Sequence, residues 1–227
     1  MSRAAVVRFT MRNAGCGAGG CGVAGGSARR EVQTSVRRER LERSSLKDLI
    51  GVRQFNDIPG SLQNTAVGRL LAYHNLGHAF QHHDRPELLI IMCMDYRESL
   101  RIPENFAYVI RLAGARVRQR DFNVSYAIGV GGVSSIAVIG HTDCGMVSVD
   151  SKEEAFVRGL MERGGWESET ARSHFVSSAP VYEIGSETES TIMGARRLRQ
   201  IYKKIMAVPF VYRVDDRLLY LPVHWKQ

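Results

Sequence analysis

Two short apolar runs, each followed at once by a cluster of Cys, His, Asp and Arg, constrain this chain more than anything else in it. Leu88-Leu89-Ile90-Ile91-Met92 leads into Cys93-Met94-Asp95-Tyr96-Arg97, and Ile136-Ala137-Val138-Ile139 leads into His141-Thr142-Asp143-Cys144-Gly145. Runs this short, rich in branched residues and separated by helical stretches, are the pattern of parallel strands buried on both faces. Parallel strands deliver Cys93, His141 and Cys144 to one carboxyl edge of a sheet, where open α/β folds build their sites. Two thiolates and an imidazole suit zinc, and three protein ligands with a fourth position free are the pattern of a catalytic site. A single Cys or His at a strand end is more often core filler than a ligand. The combination is not, since no other Cys occurs after residue 21.

The 227 residues, 44% of them apolar, suffice for one sizeable domain and an appendage. No apolar run approaches the roughly 20 residues that cross a bilayer, so no membrane association is expected. The net charge of +8 belongs to the appendage: residues 1–47 hold ten Lys/Arg against three Glu, and a balance of +1 is left for 48–227. Met1 to Arg30 contains no Asp or Glu and includes the Gly/Ala-rich run from Ala14 to Gly26. Such a composition cannot bury enough apolar surface to offset its ordering entropy, and residues 1–45 are expected to be a disordered basic extension. Three readings of it stay open: a solvated extension, an acidic-poor organelle transit peptide, or a docking arm for an acidic partner, whether a protein assembly or nucleic acid. Cys16-x4-Cys21 lacks a second pair and reads as unpaired thiols. The segment Ala4 to Val7 is too short for the apolar core of a secretory signal, and a zinc site needs free thiols. A reducing compartment, the cytoplasm, is the expectation.

Residues 46–227 read as one zinc-binding α/β domain. Leu46, Ile50 and Val52 precede a Pro59-Gly60 turn, after which Leu62, Val67, Leu70, Leu71 and His74 have helical spacing and pack against the sheet or a second subunit. His74, His78 and His82 share one face if that helix continues, with His83 adjacent; a second metal site is one reading and a polar helix face the favoured one, because no carboxylate orients them. Phe106 to Arg111 reads as a strand, and Asn123 as the cap of a helix ending at Gly131-Gly132. Ser151 to Arg163 reads as a helix stopped by Gly164-Gly165, and Trp166 to Ser190 as a long loop with helical turns. Ser190 to Met206 reads as a basic amphipathic helix with Ile192, Leu198, Ile201 and Ile205 buried, its charges a solvated face rather than a nucleic-acid patch. Val208 to Val214 and Leu218 to Val223 complete the sheet as a hairpin.

The motifs Cys93-x-Asp95-x-Arg97, Arg111-x-Ala113-Gly114 and His141-x-x-Cys144-Gly145 resemble those of the β-class carbonic anhydrases, most clearly over residues 86–150. The resemblance implies a mostly parallel central sheet flanked by helices, and a homodimer or a multiple of dimers. It also implies one zinc per subunit on Cys93, His141 and Cys144, with Asp95 and Arg97 as a catalytic dyad. Where the family commonly has Asn after the Arg of Arg-x-Ala-Gly, Leu112 stands, which bears on pocket shape and choice of substrate. The implied reaction is reversible hydration of CO2 to bicarbonate and a proton by hydroxide held on zinc, Asp95 orienting the hydroxide and Arg97 holding Asp95 off the metal. Two other readings stand beside it. One is a hydrolase of carbonyl sulfide or carbon disulfide on the same site; the other is a non-catalytic zinc-binding scaffold whose fourth position is closed by Asp95.

Overall fold

The computed structural model describes residues 48–117 and 121–226. The expected extension 1–45, with Cys16 and Cys21, and the domain start at Leu46 lie outside the described residues.

The two apolar runs become β2 (Leu88–Cys93) and β4 (Ser135–His141), in which every residue is buried. They pair in parallel, β3 (Ala107–Leu112) lies parallel on the outer side of β2, and β5 (Met206–Arg213) lies parallel beside β4. β6 (Leu218–Pro222) returns antiparallel to β5 as the expected hairpin, and β1 (Leu49–Gly51) pairs antiparallel with β6. The resulting six-stranded order is β1-β6-β5-β4-β2-β3.

Side chains alternate across a strand, so a strand covered on both faces must be apolar at consecutive positions. Leu88, Ile90 and Met92 of β2 face a cluster with Ala137, Ile139 and Phe210, whereas Leu89 and Ile91 face a second one with Ile136 and Val138. The first face is closed by α1 (Gly60–Gln63) and α2 (Ala66–His74) through Leu62, Val67, Leu70 and Leu71. This segment therefore packs on its own sheet, and Pro59-Gly60 starts a helix rather than a turn. The second face is closed by α3 (Phe122–Gly129) and α6 (Glu187–Ile201) through Val124, Ala127, Ala195 and Leu198. Between them α4 (Glu153–Gly164) and α5 (Ser168–Tyr182) form a pair around Val149, Phe175 and Ala179.

Three expectations are corrected. The cap of α3 is Asp121, not Asn123: the Asp121 carboxylate accepts the Asn123 N–H at 2.9 Å, where an anion also suits the helix dipole. The supposed loop from Trp166 holds the fifteen-residue α5, whose buried residues are only Ala171, Phe175 and Ala179. That stripe is narrow and two-thirds alanine, so an apolar period barely registers. The last helix runs from Glu187 to Ile201 rather than from Ser190 to Met206, and its buried residues are Thr188, Thr191, Ala195 and Leu198. Ile201 is 38% exposed, Ile192 is half-buried and Ile205 lies beyond the helix. The reason is close approach to β4, since a Cβ on Gly140 would sit 2.8 Å from Thr191 Cγ2 and 3.4 Å from the Glu187 carbonyl. Gly140→Ala is accordingly expected to push α6 from the sheet and cost roughly 1–3 kcal/mol in urea unfolding.

Candidate metal centre

Parallel pairing of β2 with β4, in which Met92 lies opposite Ile139, puts the ends of both strands at one edge. Cys93 ends β2 and His141 ends β4. Beyond His141 the chain turns sharply, with Asp143 at φ 59°, and brings Cys144 back over the strand end. The turn is held to β5 at both sides: Thr142 N–H donates to the Tyr212 carbonyl at 3.0 Å, and Thr142 Oγ1 accepts the Val214 N–H at 3.1 Å. The two sulfurs and a ring nitrogen of His141 lie within 4.8 Å of one another, and all three residues are buried. Ile184 packs with both cysteines, and Gly114, at φ 64°, takes the left-handed backbone conformation that glycine favours.

His141 Nδ1 lies 3.0 Å from the Thr142 carbonyl, which only accepts, so the proton resides on Nδ1. Nε2 is left as a bare lone pair, buried and without a hydrogen-bond partner. An orphaned imidazole nitrogen beside two thiols is costly in a core and correct for a metal ligand. Hydrogen bonding to Cys144 holds the Cys93 thiol well below the usual thiol range, against burial and with help from the N–H groups of Asp95 and Gly114. Cys93 and burial push the Cys144 thiol up. Two thiols this close do not both ionise unaided, and a divalent cation is the species that ionises both. The donor set fits zinc.

Asp95 and Arg97, two residues apart after Cys93, form a forked pair. Arg97 Nε donates to Asp95 Oδ1 at 3.0 Å and Nη2 to Oδ2 at 2.8 Å, and the Arg97 N–H adds a bond to Oδ1 at 2.9 Å. These bonds hold the Asp95 carboxyl down to about 2 against its partial burial. The other side of the guanidinium reaches the second loop, donating from Nη1 to Asp143 Oδ2 and from Nη2 to the Asp143 carbonyl, each at 3.0 Å. Asp95 Oδ2 stands 3.8 Å from His141 Nε2. A cavity of about 320 Å³ lined by Arg97, Thr142, Asp143, Arg213, Val214 and Asp215 opens beside this pair.

All five residues singled out in the sequence meet here. The histidine series does not: α2 stops at His74, His78 stacks on Phe55, and His82 pairs with Asp84. His83 is buried instead, between Tyr73 Oη at 3.1 Å and Glu87 Oε1 at 3.0 Å. Among the described residues, Cys93, His141 and Cys144 form the one group with metal-ligand geometry. Sequence reasoning missed Glu98. It is 2% exposed, neither carboxylate oxygen has a hydrogen-bond partner, and burial pushes its pKa up to about 8. A Glu one residue after Arg97 carries no periodic signal that separates it from a surface acid.

Cys144→Ser is expected to lose the zinc, because a hydroxyl does not replace a thiolate; metal analysis of the purified variant checks this. Arg97→Ala should let the Asp95 carboxyl rise from about 2 toward the ordinary range near 4, read by carboxylate ¹³C NMR titration. Because Asp95 is depressed in the folded chain, the pairing stabilises the fold above about pH 4, and that contribution is lost as pH falls toward 2.

The profile of the family described as Carbonic anhydrase matches residues 88–218. A solved structure shares the fold: the carbonic anhydrase from Glaciozyma antarctica is 20% identical, with 73% of this chain and 99% of that one covered at a TM-score of 0.50. The β-carbonic anhydrase isoform I of Trichomonas vaginalis is 19% identical, covering 73% and 98% at 0.49, and the apo form of a carbon disulfide hydrolase is 22% identical, covering 62% and 80% at 0.47. No curated protein gives a significant match. The profile spans more than half of the chain and takes in both strand ends with Cys93, Asp95, Arg97, His141 and Cys144, and the chain belongs to the β-class carbonic anhydrase family.

Proposed function

We propose that this chain is a zinc enzyme that hydrates CO2 reversibly to bicarbonate and a proton. The observation that carries the reading is the convergence of Cys93, Cys144 and the bare Nε2 of His141 beside a carboxylate that Arg97 keeps ionised. Cys93, His141 and Cys144 would hold the zinc. When bound, zinc would make hydroxide available near neutral pH by lowering the pKa of water toward roughly 7. Asp95 supplies the hydrogen-bond acceptor that fixes the direction of the nucleophile's O–H, leaving its other lone pairs aimed at the substrate carbon. Arg97 occupies both oxygens of Asp95 and ties them to Asp143 on the opposite loop, so the carboxylate is held toward Arg97 rather than drawn to the metal.

The same reading extends to a homodimer or a multiple of dimers. β3 is an edge strand with Tyr108 and Val109 exposed, and α3 presents Phe122 at 76%, Tyr126 at 49% and Val130 at 71% exposure, four residues apart on one face. Tyr108 adjoins that face at Gly131, where a Cβ would lie 2.5 Å from its ring. An open edge beside a contiguous apolar face supports a second copy as its cover. The free thiols at Cys93 and Cys144 support a reducing compartment, the cytoplasm.

The test is zinc content and stopped-flow CO2 hydration on one sample, with sulfide release from carbonyl sulfide and carbon disulfide as parallel arms. One zinc per chain with CO2 hydration dominant is expected; sulfide release without hydration selects the hydrolase, and bound zinc without any turnover selects the scaffold. Asp95→Asn should keep its zinc and lose roughly 100-fold or more in kcat. Full turnover in that variant removes Asp95 from the chemistry.

A further inference from the structure

We infer that Arg111 is a positioning residue for this reaction: from the neighbouring strand it fixes the loop that carries both a metal ligand and the proton acceptor. The inference rests on the hydration reading above. Arg111 lies in β3 opposite Met92, one position before the pair Leu112 and Cys93. From there Nη1 donates to the carbonyl of Cys93 at 3.2 Å and to that of Asp95 at 3.3 Å, while Nη2 donates to the carbonyl of Glu98 at 2.9 Å. One guanidinium thus gathers three main-chain acceptors that begin at a ligand, pass the catalytic carboxylate's own residue and end just beyond Arg97.

Besides Arg111, the loop is held by Arg97, which ties it to Asp143 of the facing loop, and by the buried side chain of Glu98 at its end. Met94 and Tyr96 do not anchor the loop by burial, since Met94 is 67% and Tyr96 91% exposed. Two main-chain bonds support it, from Met94 N–H to the Leu112 carbonyl and from Glu98 N–H to the Asp95 carbonyl, each at 3.2 Å. The side chains of Asp95 and Arg97 are spent on each other and on Asp143. Because Arg111 grips the carbonyls of both Cys93 and Asp95, it sets the separation between the ligand sulfur and the carboxylate. The planar fork is what allows three spread acceptors to be served together; an ammonium on a flexible stem is a single point and cannot match it. A displacement of about 1 Å between reacting groups costs up to roughly 100-fold in rate.

The experiment uses the zinc-loaded full chain with R111Q and R111K, each alone and combined with D95N. Four quantities are read: zinc content, amide hydrogen exchange of the 94–98 segment, kcat and KM. For R111Q the expected result is wild-type zinc content, faster exchange confined to 94–98, and a 10- to 100-fold fall in kcat with KM little changed. R111K should fall between it and the wild type. In the D95N background R111Q should add less than about 2-fold, because a residue acting through Asp95 has nothing further to lose. Unchanged exchange and kcat in R111Q overturn the inference, and so does a full additive loss on top of D95N, which marks a merely structural role. If R111Q does not fold, R111K decides by the same comparisons, and wild-type exchange and rate in it overturn the inference. A wild-type chain that binds zinc and hydrates no CO2 defeats the hydration reading instead, and the exchange data still judge the clamp.

Discussion

The parallel pairing of β2 with β4 is the constraint on which the rest depends. Cys93 and His141 are 48 positions apart in the chain, and nothing local draws them together. Burial of Leu88 to Met92 and of Ile136 to Ile139 on both faces places both strands in the interior of the sheet, where they pair side by side with Met92 opposite Ile139. The free energy that assembles the centre is therefore hydrophobic, while the chemistry belongs to the few polar residues that the strands carry to their ends. This division explains how an unpartnered His141 Nε2 is tolerated. The sheet holds it there whether or not it gains anything from the position.

Beyond the strand ends, burial gives way to charge-assisted hydrogen bonds. Arg97 joins the loop after β2 to the loop after β4 through Asp143. Glu187, at the start of α6, accepts the N–H of Cys144 at 3.2 Å, Glu183 accepts those of Ser148 and Val149, and Lys152 donates to the Gly145 carbonyl. Loops at a sheet edge cannot be packed on all sides without closing the site. Side chains that grip main-chain groups supply the rigidity that packing supplies elsewhere. Small residues at the α6 contact, Gly140 and Thr191, let that helix approach closely enough for Glu187 to reach the loop.

The centre was legible in the sequence because metal chemistry restricts residue type and strand ends restrict position. Cys93, Asp95, Arg97, His141 and Cys144 each stand just after an unmistakable strand, so topology alone brings them together. The helices were less legible where their buried faces are made of Ala and Thr, as in α5 and α6, since small residues bury without an apolar period. The histidine series failed for the opposite reason. Its i, i+4 spacing presumes a helix, and α2 ends at His74 with Asn75, whose side chain is drawn to the carbonyls of Val52 and Leu219.

What the chain determined by itself was its class, its paired strands and the identity of the groups at their ends, because these follow from residue type and alternation. Only the tertiary structure decided the surroundings of each acid. Asp95 is held ionised by a fork from Arg97, and Glu98 is buried with no partner and pushed toward its neutral form. Arg111 is turned from a strand residue into a clamp on three carbonyls. In each case the residue type is ordinary. Its role comes from solvent exclusion and from groups distant along the chain, which a linear pattern does not contain.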